Sequence, residues 1–168
     1  MIEPDFTSRV VTAADYAALQ ALHDRVFGPG AYTRTAYRVR EGMPPQSPFC
    51  RLITRGGTDI IASIRFTPVL IGDMPGALLL GPLAVDGAYS NQGHGRRLIG
   101  EGLDAARAAG VKLVLLVGDA PYYAKLGFET VPPKRITLPG PVDPQRLLAA
   151  YLASDAAGAM QGMVSGAW

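Results

Sequence analysis

Hydrophobic positions change period twice along this chain, and the changes divide it into segments. Between residues 11 and 27 apolar side chains recur at helical spacing, with Val11 ahead of Tyr16, Leu19, Leu22 and Val26. Thr12-Ala-Ala-Asp15 opens this stretch as a capping box with Asp in place of Glu, and Gly28-Pro29-Gly30 stops it. A second helix, polar and Arg-rich, is predicted over 33–41, ended by Gly42-Met-Pro-Pro45. The pattern then shortens to that of strands over 49–54, 59–71 and 77–85, with turn residues at 55–58 and 72–76, so an antiparallel meander is expected. Helical spacing returns over 95–109, where Leu98, Ile99, Leu103 and Ala106 share a face and Gly110 stands at the C-cap. The continuous apolar run over 111–117 predicts a strand buried on both faces. Residues 121–126 read as a short helix stopped by Gly127, and 128–131 as extended chain. Strand, helix, strand in this order implies a right-handed crossover onto a parallel neighbour. The expected architecture is mixed α/β, a largely antiparallel sheet with a parallel strand pair and flanking helices. The Ala/Gly-rich end of the chain has no clear period; residues 142–168 are expected to pack on the core, to close the sheet or to form a dimer contact.

Composition narrows the class. A length of 168 residues, 48% of them apolar, fits one compact domain spanning residues 1–168. Only 18% are charged and the net charge is +2, so no strong field points to nucleic acid or an anionic membrane. The single cysteine, Cys50, excludes an internal disulfide and suits a reducing, cytoplasmic compartment. The start, MIEPDFTSRV, has neither a basic n-region nor an apolar h-region. The apolar run over 77–85 is interrupted by Gly81 and Pro82 and is far too short to span a bilayer. His23 and His94 are isolated, without Cys or His at metal-ligand spacing, so no metal is expected.

Three features carry candidate chemistry. In Gly81-Pro82-Leu83-Ala84-Val85 a proline removes a ladder donor from an apolar strand, which marks an edge, a bulge or a place where pairing stops. If pairing with the run at 111–117 lapses there, backbone groups are left to pair with an extended, amide-bearing ligand. Next, Ser90-Asn-Gln-Gly93-His-Gly95-Arg96-Arg97 joins that strand to the amphipathic helix. Its glycines allow close backbone approach, and the helix start offers unpaired N–H groups and the positive end of the dipole. Two arginines in a first turn are disfavoured by that dipole unless an anion binds. The pattern is neither a dinucleotide fingerprint, since position 98 is Leu98, nor a P-loop, since neither glycine precedes a lysine. Thirdly, Pro121-Tyr122-Tyr123-Ala-Lys-Leu-Gly127-Phe128 follows a strand that ends at Asp119. Adjacent tyrosines on a short helix point in different directions, so one packs while the other presents its hydroxyl. His23 is read as a helix-face residue without special role, and His94 either as a hydrogen-bond donor to an anion or as a solvated loop histidine.

In this order and spacing the three motifs resemble the GNAT superfamily of acetyl-CoA-dependent N-acetyltransferases, most specifically from Leu80 to Phe128. The resemblance implies the acyl-CoA N-acyltransferase fold, with a splayed parallel strand pair. It implies acetyl-CoA as donor, with Leu83, Ala84 and Val85 along the pantetheine arm and Gln92, Gly93, His94, Gly95, Arg96 and Arg97 around the pyrophosphate. Ser90 departs from the Gln or Arg that opens the family signature. Tyr123, four residues before Gly127, takes the position of the tyrosine that protonates the leaving thiolate. Many members carry a glutamate base on the bulged strand; here none lies between 77 and 85, and the candidates in its place are Asp119, Asp86, ordered water or an acceptor with a lowered pKa. The implied function is acetyl transfer to a primary amine of a small molecule or peptide by direct attack, in a monomer or homodimer. A catalytically inactive acyl-CoA-binding module and a longer-chain acyl donor are the competing readings. The acceptor cleft is expected at 30–46 and 131–143, the first with Arg34, Arg38 and Arg40.

Overall fold

The computed structural model describes residues 5–28 and 47–167. The predicted helix over 33–41, and with it Arg34, Arg38 and Arg40, lies outside the described residues.

The chain begins with a strand, β1 (Phe6–Val10), and a single 3-10 turn over Ala13–Asp15 leading into α1 (Tyr16–Phe27). The expected capping box is present: the Thr12 N–H donates to Asp15 Oδ2 at 2.8 Å. The same carboxylate takes two hydrogen bonds from Arg9, at 2.8 and 2.7 Å, which ties the helix start to β1. Then come β2 (Arg51–Arg55), β3 (Asp59–Ile71) and β4 (Met74–Val85), the predicted meander. A 3-10 turn over Gly87–Tyr89 precedes α2 (His94–Ala108). Gly110, at φ 82°, ends it: its N–H reaches the Arg107 carbonyl and the Val111 N–H the Ala106 carbonyl, a Schellman pair. β5 (Leu113–Val117), α3 (Ala120–Ala124), β6 (Glu129–Thr130), β7 (Ile136–Thr137), β8 (Leu147–Tyr151), α4 (Ala156–Ala159) and β9 (Gly162–Gly166) complete the described chain.

The principal strand order is β1-β2-β3-β4-β5-β8-β6, with β9 pairing β3 and β7 pairing β9. β4 and β5 run parallel, as the crossover through α2 requires. The C-terminal segment therefore closes the sheet: β8 runs antiparallel to β5 along its whole length, and β9 covers the far end of β3.

One face of the sheet packs against α2. Ile53, Ile64, Phe66, Leu78, Leu80, Val114 and Leu116 meet Leu98, Ile99, Leu103 and Ala106 there. Gly102 makes that approach possible, because a Cβ at this position would lie 2.2 Å from Phe66 Cε2. The other face carries two separate apolar clusters. Val11, Cys50 and Leu52 pack with Tyr16 and Leu19 of α1 at one end. Val69, Ile71, Leu79, Leu113 and Leu115 pack with Val131, Ile136, Met160 and Val164 at the other.

Candidate active site

β4 and β5 are paired only where Ala77–Leu79 face Leu113–Leu115. Beyond that point β5 continues with β8, Leu116 opposite Leu148 and Val117 opposite Leu147, while β4 stays with β3. The parallel pair is splayed. The departure coincides with the proline motif: Ile64 faces Leu83 and Phe66 faces Leu80, so β4 carries an extra residue at Gly81-Pro82, opposite Arg65. From Leu80 to Val85 no strand covers the β5 side of β4 among the described residues.

The loop after β4 is held by its own side chains. Asp86 accepts a hydrogen bond from the Ala88 N–H at 3.0 Å and forms an ion pair with Arg25 at 3.4 Å. Ser90 Oγ donates to the Gly87 carbonyl at 2.9 Å. Asn91 and Gly93 follow in left-handed conformations, at φ 60° and 88°, and Gly93 is the N-cap of α2 without a side-chain hydrogen bond. The first helical bond runs from the Arg97 N–H to the Gly93 carbonyl, leaving the His94, Gly95 and Arg96 N–H groups ahead of the helical ladder. Gln92 and Gly93 are exposed, and Gly95 is partly so.

The two arginines separate. Arg97 donates to the Phe6 carbonyl at 3.0 Å and meets Glu101, one turn on, at 3.5 Å; Arg51 shares that carboxylate at 3.4 Å. Its charge in the first turn is thus compensated within the protein, a pairing visible in the sequence as Arg and Glu four residues apart. Arg96 is exposed with no ion pair among the described residues. His94 is neither a loop residue nor solvated. It is the first residue of α2, 7% exposed, with its ring 4.6 Å from that of Phe6 and its buried Nε2 without a hydrogen-bond partner among the described residues. Burial, with Arg97 adding, lowers its pKa.

The tyrosine pair divides as expected. Tyr123 packs beside the α2-face cluster, edge-on to Phe128 at 5.8 Å and to Tyr122 at 4.9 Å. Gly118 makes room for its ring, since a Cβ there would lie 2.7 Å from Tyr123 Cε2. Burial, followed by Tyr122 and Asp119, pushes the Tyr123 phenol up to about 12. Tyr122 is the one that presents its hydroxyl. It is 38% exposed, and its Oη lies 3.5 Å from where a Gly95 Cβ would sit, beside Leu83 Cδ2 at 3.4 Å and Val85 Cγ2 at 3.7 Å. This side chain joins the three motifs: the bulged strand, the glycine loop and the tyrosine helix meet at one point. Ala84 is fully buried on the opposite face of β4. Asp119 is exposed at the N-cap of α3, its side chain making no capping bond.

The sequence reading gave no role to His23, whose Nε2 lies 3.3 Å from Ser63 Oγ. Nothing local in the sequence signals this pair, since the partners are on different elements. Among the described residues no group of three or more His, Cys, Asp or Glu is placed to hold a metal ion, and no helix is long and apolar enough to cross a membrane.

Comparison with known proteins gives a consistent result. Residues 50–130 match the model of the acetyltransferase (GNAT) domain. The N-acetyltransferase YhbS of Escherichia coli is 30% identical over 166 residues, covering 93% of each chain. A crystal structure of YhbS in complex with CoA superposes with a TM-score of 0.81 and 26% identity, covering 99% of this chain and 92% of that one. A GNAT family acetyltransferase from Brucella melitensis, in complex with acetyl-CoA, gives a TM-score of 0.64 and 28% identity over 88% of this chain and 96% of that one.

Proposed function

We propose that this chain, which belongs to the GNAT family of N-acetyltransferases, holds acetyl-CoA where β4 parts from β5 and transfers the acetyl group to an acceptor amine. The observation that supports this arrangement is the meeting of Tyr122 with Gly95, Leu83 and Val85 at the start of α2, with Tyr123 against its ring. Residues present there fit the donor. The His94, Gly95 and Arg96 N–H groups, the positive end of α2 and the exposed Arg96 suit a pyrophosphate, with Gln92 and Gly93 lining its approach. Neither the Arg97 guanidinium nor the His94 ring is needed for it, as both are engaged toward Phe6; these residues contribute through the backbone. The open edge along Leu83, Ala84 and Val85 suits an amide-bearing arm laid down like an added strand. Ser90, at the position where the family signature has Gln or Arg, serves the loop by bonding Gly87 instead of the ligand.

Acetyl-CoA, when bound, supplies an acetyl group activated as a thioester. Tyr123 is the acid of the site: its phenol keeps its proton at neutral pH, and a departing thiolate is the group it would protonate, but the burial that pushes the phenol up to about 12 makes it a weaker donor than an ordinary tyrosine. A lysine-like amine, ordinarily protonated with a pKa of roughly 10.4, must lose a proton before it attacks. Of the two carboxylates considered for this step, Asp86 is already committed to Ala88 and Arg25. Asp119, without such partners and at the end of β5, is the better proton acceptor. Residues 1–168 act as one domain in this reading, and a cytoplasmic location accords with the single buried cysteine, Cys50.

Calorimetric titration of acetyl-CoA into the protein and into Gly93→Glu tests the donor site. Micromolar binding to the former and none to the latter is expected, because a carboxylate at the cap opposes the pyrophosphate. Equal binding by both would remove the glycine loop from the site.

A further inference from the structure

Helix α2 must present the N–H groups of its first turn in a fixed place, yet that is the end its own sequence supports least. The N-cap, Gly93, makes no side-chain hydrogen bond, the first turn holds no acidic residue, and it contains Gly95, Arg96 and Arg97. Glycine lowers helix propensity, and two cations oppose the positive end of the dipole. The support comes from outside the helix. The Glu101 carboxylate, one turn beyond Arg97, is shared by three groups from three elements. Ser8 Oγ of β1 donates to its Oε1, Arg51 Nε of β2 lies 3.4 Å from the same carboxylate, and Arg97 Nε lies 3.5 Å from Oε2. Arg51 Nη2 also donates to Ser8 Oγ at 3.2 Å, which closes the network between the two strands. Arg97 in turn donates from Nη1 to the Phe6 carbonyl at 3.0 Å. The Phe6 ring lies 4.6 Å from that of His94 and 5.9 Å from that of Tyr89. Strand β1 thus grips the start of α2 at His94, at Arg97 and at Glu101.

Given the donor site proposed above, on which this rests, we infer that Glu101 is a positioning residue for acetyl-CoA. With Ser8 and Arg51 it holds Arg97 and the first turn of α2 so that the His94, Gly95 and Arg96 N–H groups meet the pyrophosphate. The sign of its charge separates this role from a direct one. Glu101 is an anion on the helix whose start receives an anion, and by Coulomb's law alone its presence weakens donor binding. Its side chain is only 32% exposed, and two guanidinium groups and a hydroxyl occupy the carboxylate. An acid so placed is accounted for by what it ties together. Without it, Arg51 and Arg97 stand uncompensated near the positive end of the dipole, and a first turn that is already weak loses its link to β1 and β2.

Acetyl-CoA is titrated calorimetrically into the unmodified protein, Glu101→Gln, Ser8→Ala and Asp104→Asn, well below the Tm of each, with thermal unfolding followed in parallel. Asp104 is exposed on the same helix and paired with Arg107 at 3.5 Å, so its variant removes one negative charge without touching the network. Glu101→Gln is expected to weaken binding about tenfold, the worth of one hydrogen bond to a charged group acting through the site it supports. Ser8→Ala weakens it in the same direction by less, and Asp104→Asn does not weaken it. A field effect alone would tighten binding in Glu101→Gln, and a purely structural role would lower Tm while leaving the affinity as it was; either result overturns the assignment. In a cycle with Arg97→Gln the two losses do not add, because both variants break the same contact, and additive losses overturn it as well. Where Glu101→Gln does not fold, Ser8→Ala decides by the same criterion. Failure of the unmodified protein to bind acetyl-CoA overturns instead the reading of the donor site.

Discussion

Helix α2 carries both Gly100 and Gly102, and replacing each by alanine tests how the helix that bears the donor site is seated. Alanine in a helix interior is favoured over glycine by about 1 kcal/mol through backbone entropy. At Gly100, exposed and with nothing within 4 Å of the new Cβ, that gain is the whole effect, so Gly100→Ala stabilises by about 1 kcal/mol. At Gly102 the Cβ would stand 2.2 Å from Phe66 Cε2 and 2.4 Å from Cζ, against about 3.5–4.0 Å for an ordinary carbon contact. The obstacle is the ring of a fully buried Phe66, not the end of a flexible chain, so α2 or β3 must give way. Overpacking of this kind costs about 1–3 kcal/mol, and a contact this short belongs at the upper end. After the helical gain, Gly102→Ala is destabilised by about 2 kcal/mol, and the two variants differ by about 3 kcal/mol. In urea, at an m-value of about 2 kcal/mol/M, their midpoints separate by about 1.5 M. Because the displaced helix also carries Gly93 and Gly95, Gly102→Ala weakens acetyl-CoA binding, and Gly100→Ala leaves it alone. Finding both variants equally stabilised would refute the docking of α2 on Phe66.

Two further outcomes follow from the site and its supports. Tyr123→Phe should lower kcat by about a hundredfold or more with little change in acetyl-CoA affinity, while Tyr122→Phe chiefly affects binding; unaltered turnover in Tyr123→Phe would transfer the acid's role elsewhere. Asp15, held well below the usual carboxylate range first by its hydrogen bonds from Arg9, stabilises the fold above its unfolded pKa of about 4 and loses that contribution as pH falls below it. Acid unfolding followed by circular dichroism should therefore be shallower in Asp15→Asn than in the unmodified protein; parallel curves would contradict the coupling.

The parts of this fold that were legible are those punctuated by residues with few conformational options. Gly28, Gly110 and Gly127 have positive φ and stand where the sequence stopped a helix, while Gly93, also at positive φ, caps a helix that the sequence began at Gly95. The bulge at Gly81-Pro82 was legible for the same reason. What escaped were elements defined by partners. Leu147–Tyr151 is a strand although its alanines favour helix, because β5 is buried on both faces and needs a second neighbour where β4 leaves it. Phe6–Val10 is too short to show a period and exists as the edge partner of β2. Pro75 and Gly76 suggested a longer turn than the one that forms, in which Ile71 already faces Met74. Within the site, spacing gave the order of the motifs. It did not give the burial of His94 on Phe6 or the meeting of Ser63 with His23, both of which depend on contacts far apart in sequence.

The open edge of β4 is maintained from both sides, which explains how a sheet can keep unpaired backbone at its centre. On β4, Pro82 has no N–H to offer, and Gly81, at φ 122°, turns the strand out of regular extension. On β5, Leu116 and Val117 are already matched to Leu148 and Leu147, so zipping the parallel pair further would break antiparallel pairing with β8. The Gly118 N–H is likewise taken, by the Arg146 carbonyl at 2.9 Å, and Arg146 Nε returns a hydrogen bond to the Gly118 carbonyl at 3.3 Å. Closure is therefore opposed by bonds already made elsewhere. A ligand that brings its own amides meets backbone groups that the fold leaves available at no cost to its existing pairs. The strand exchange at Leu115 thereby provides a binding edge without breaking any pair the sheet already has.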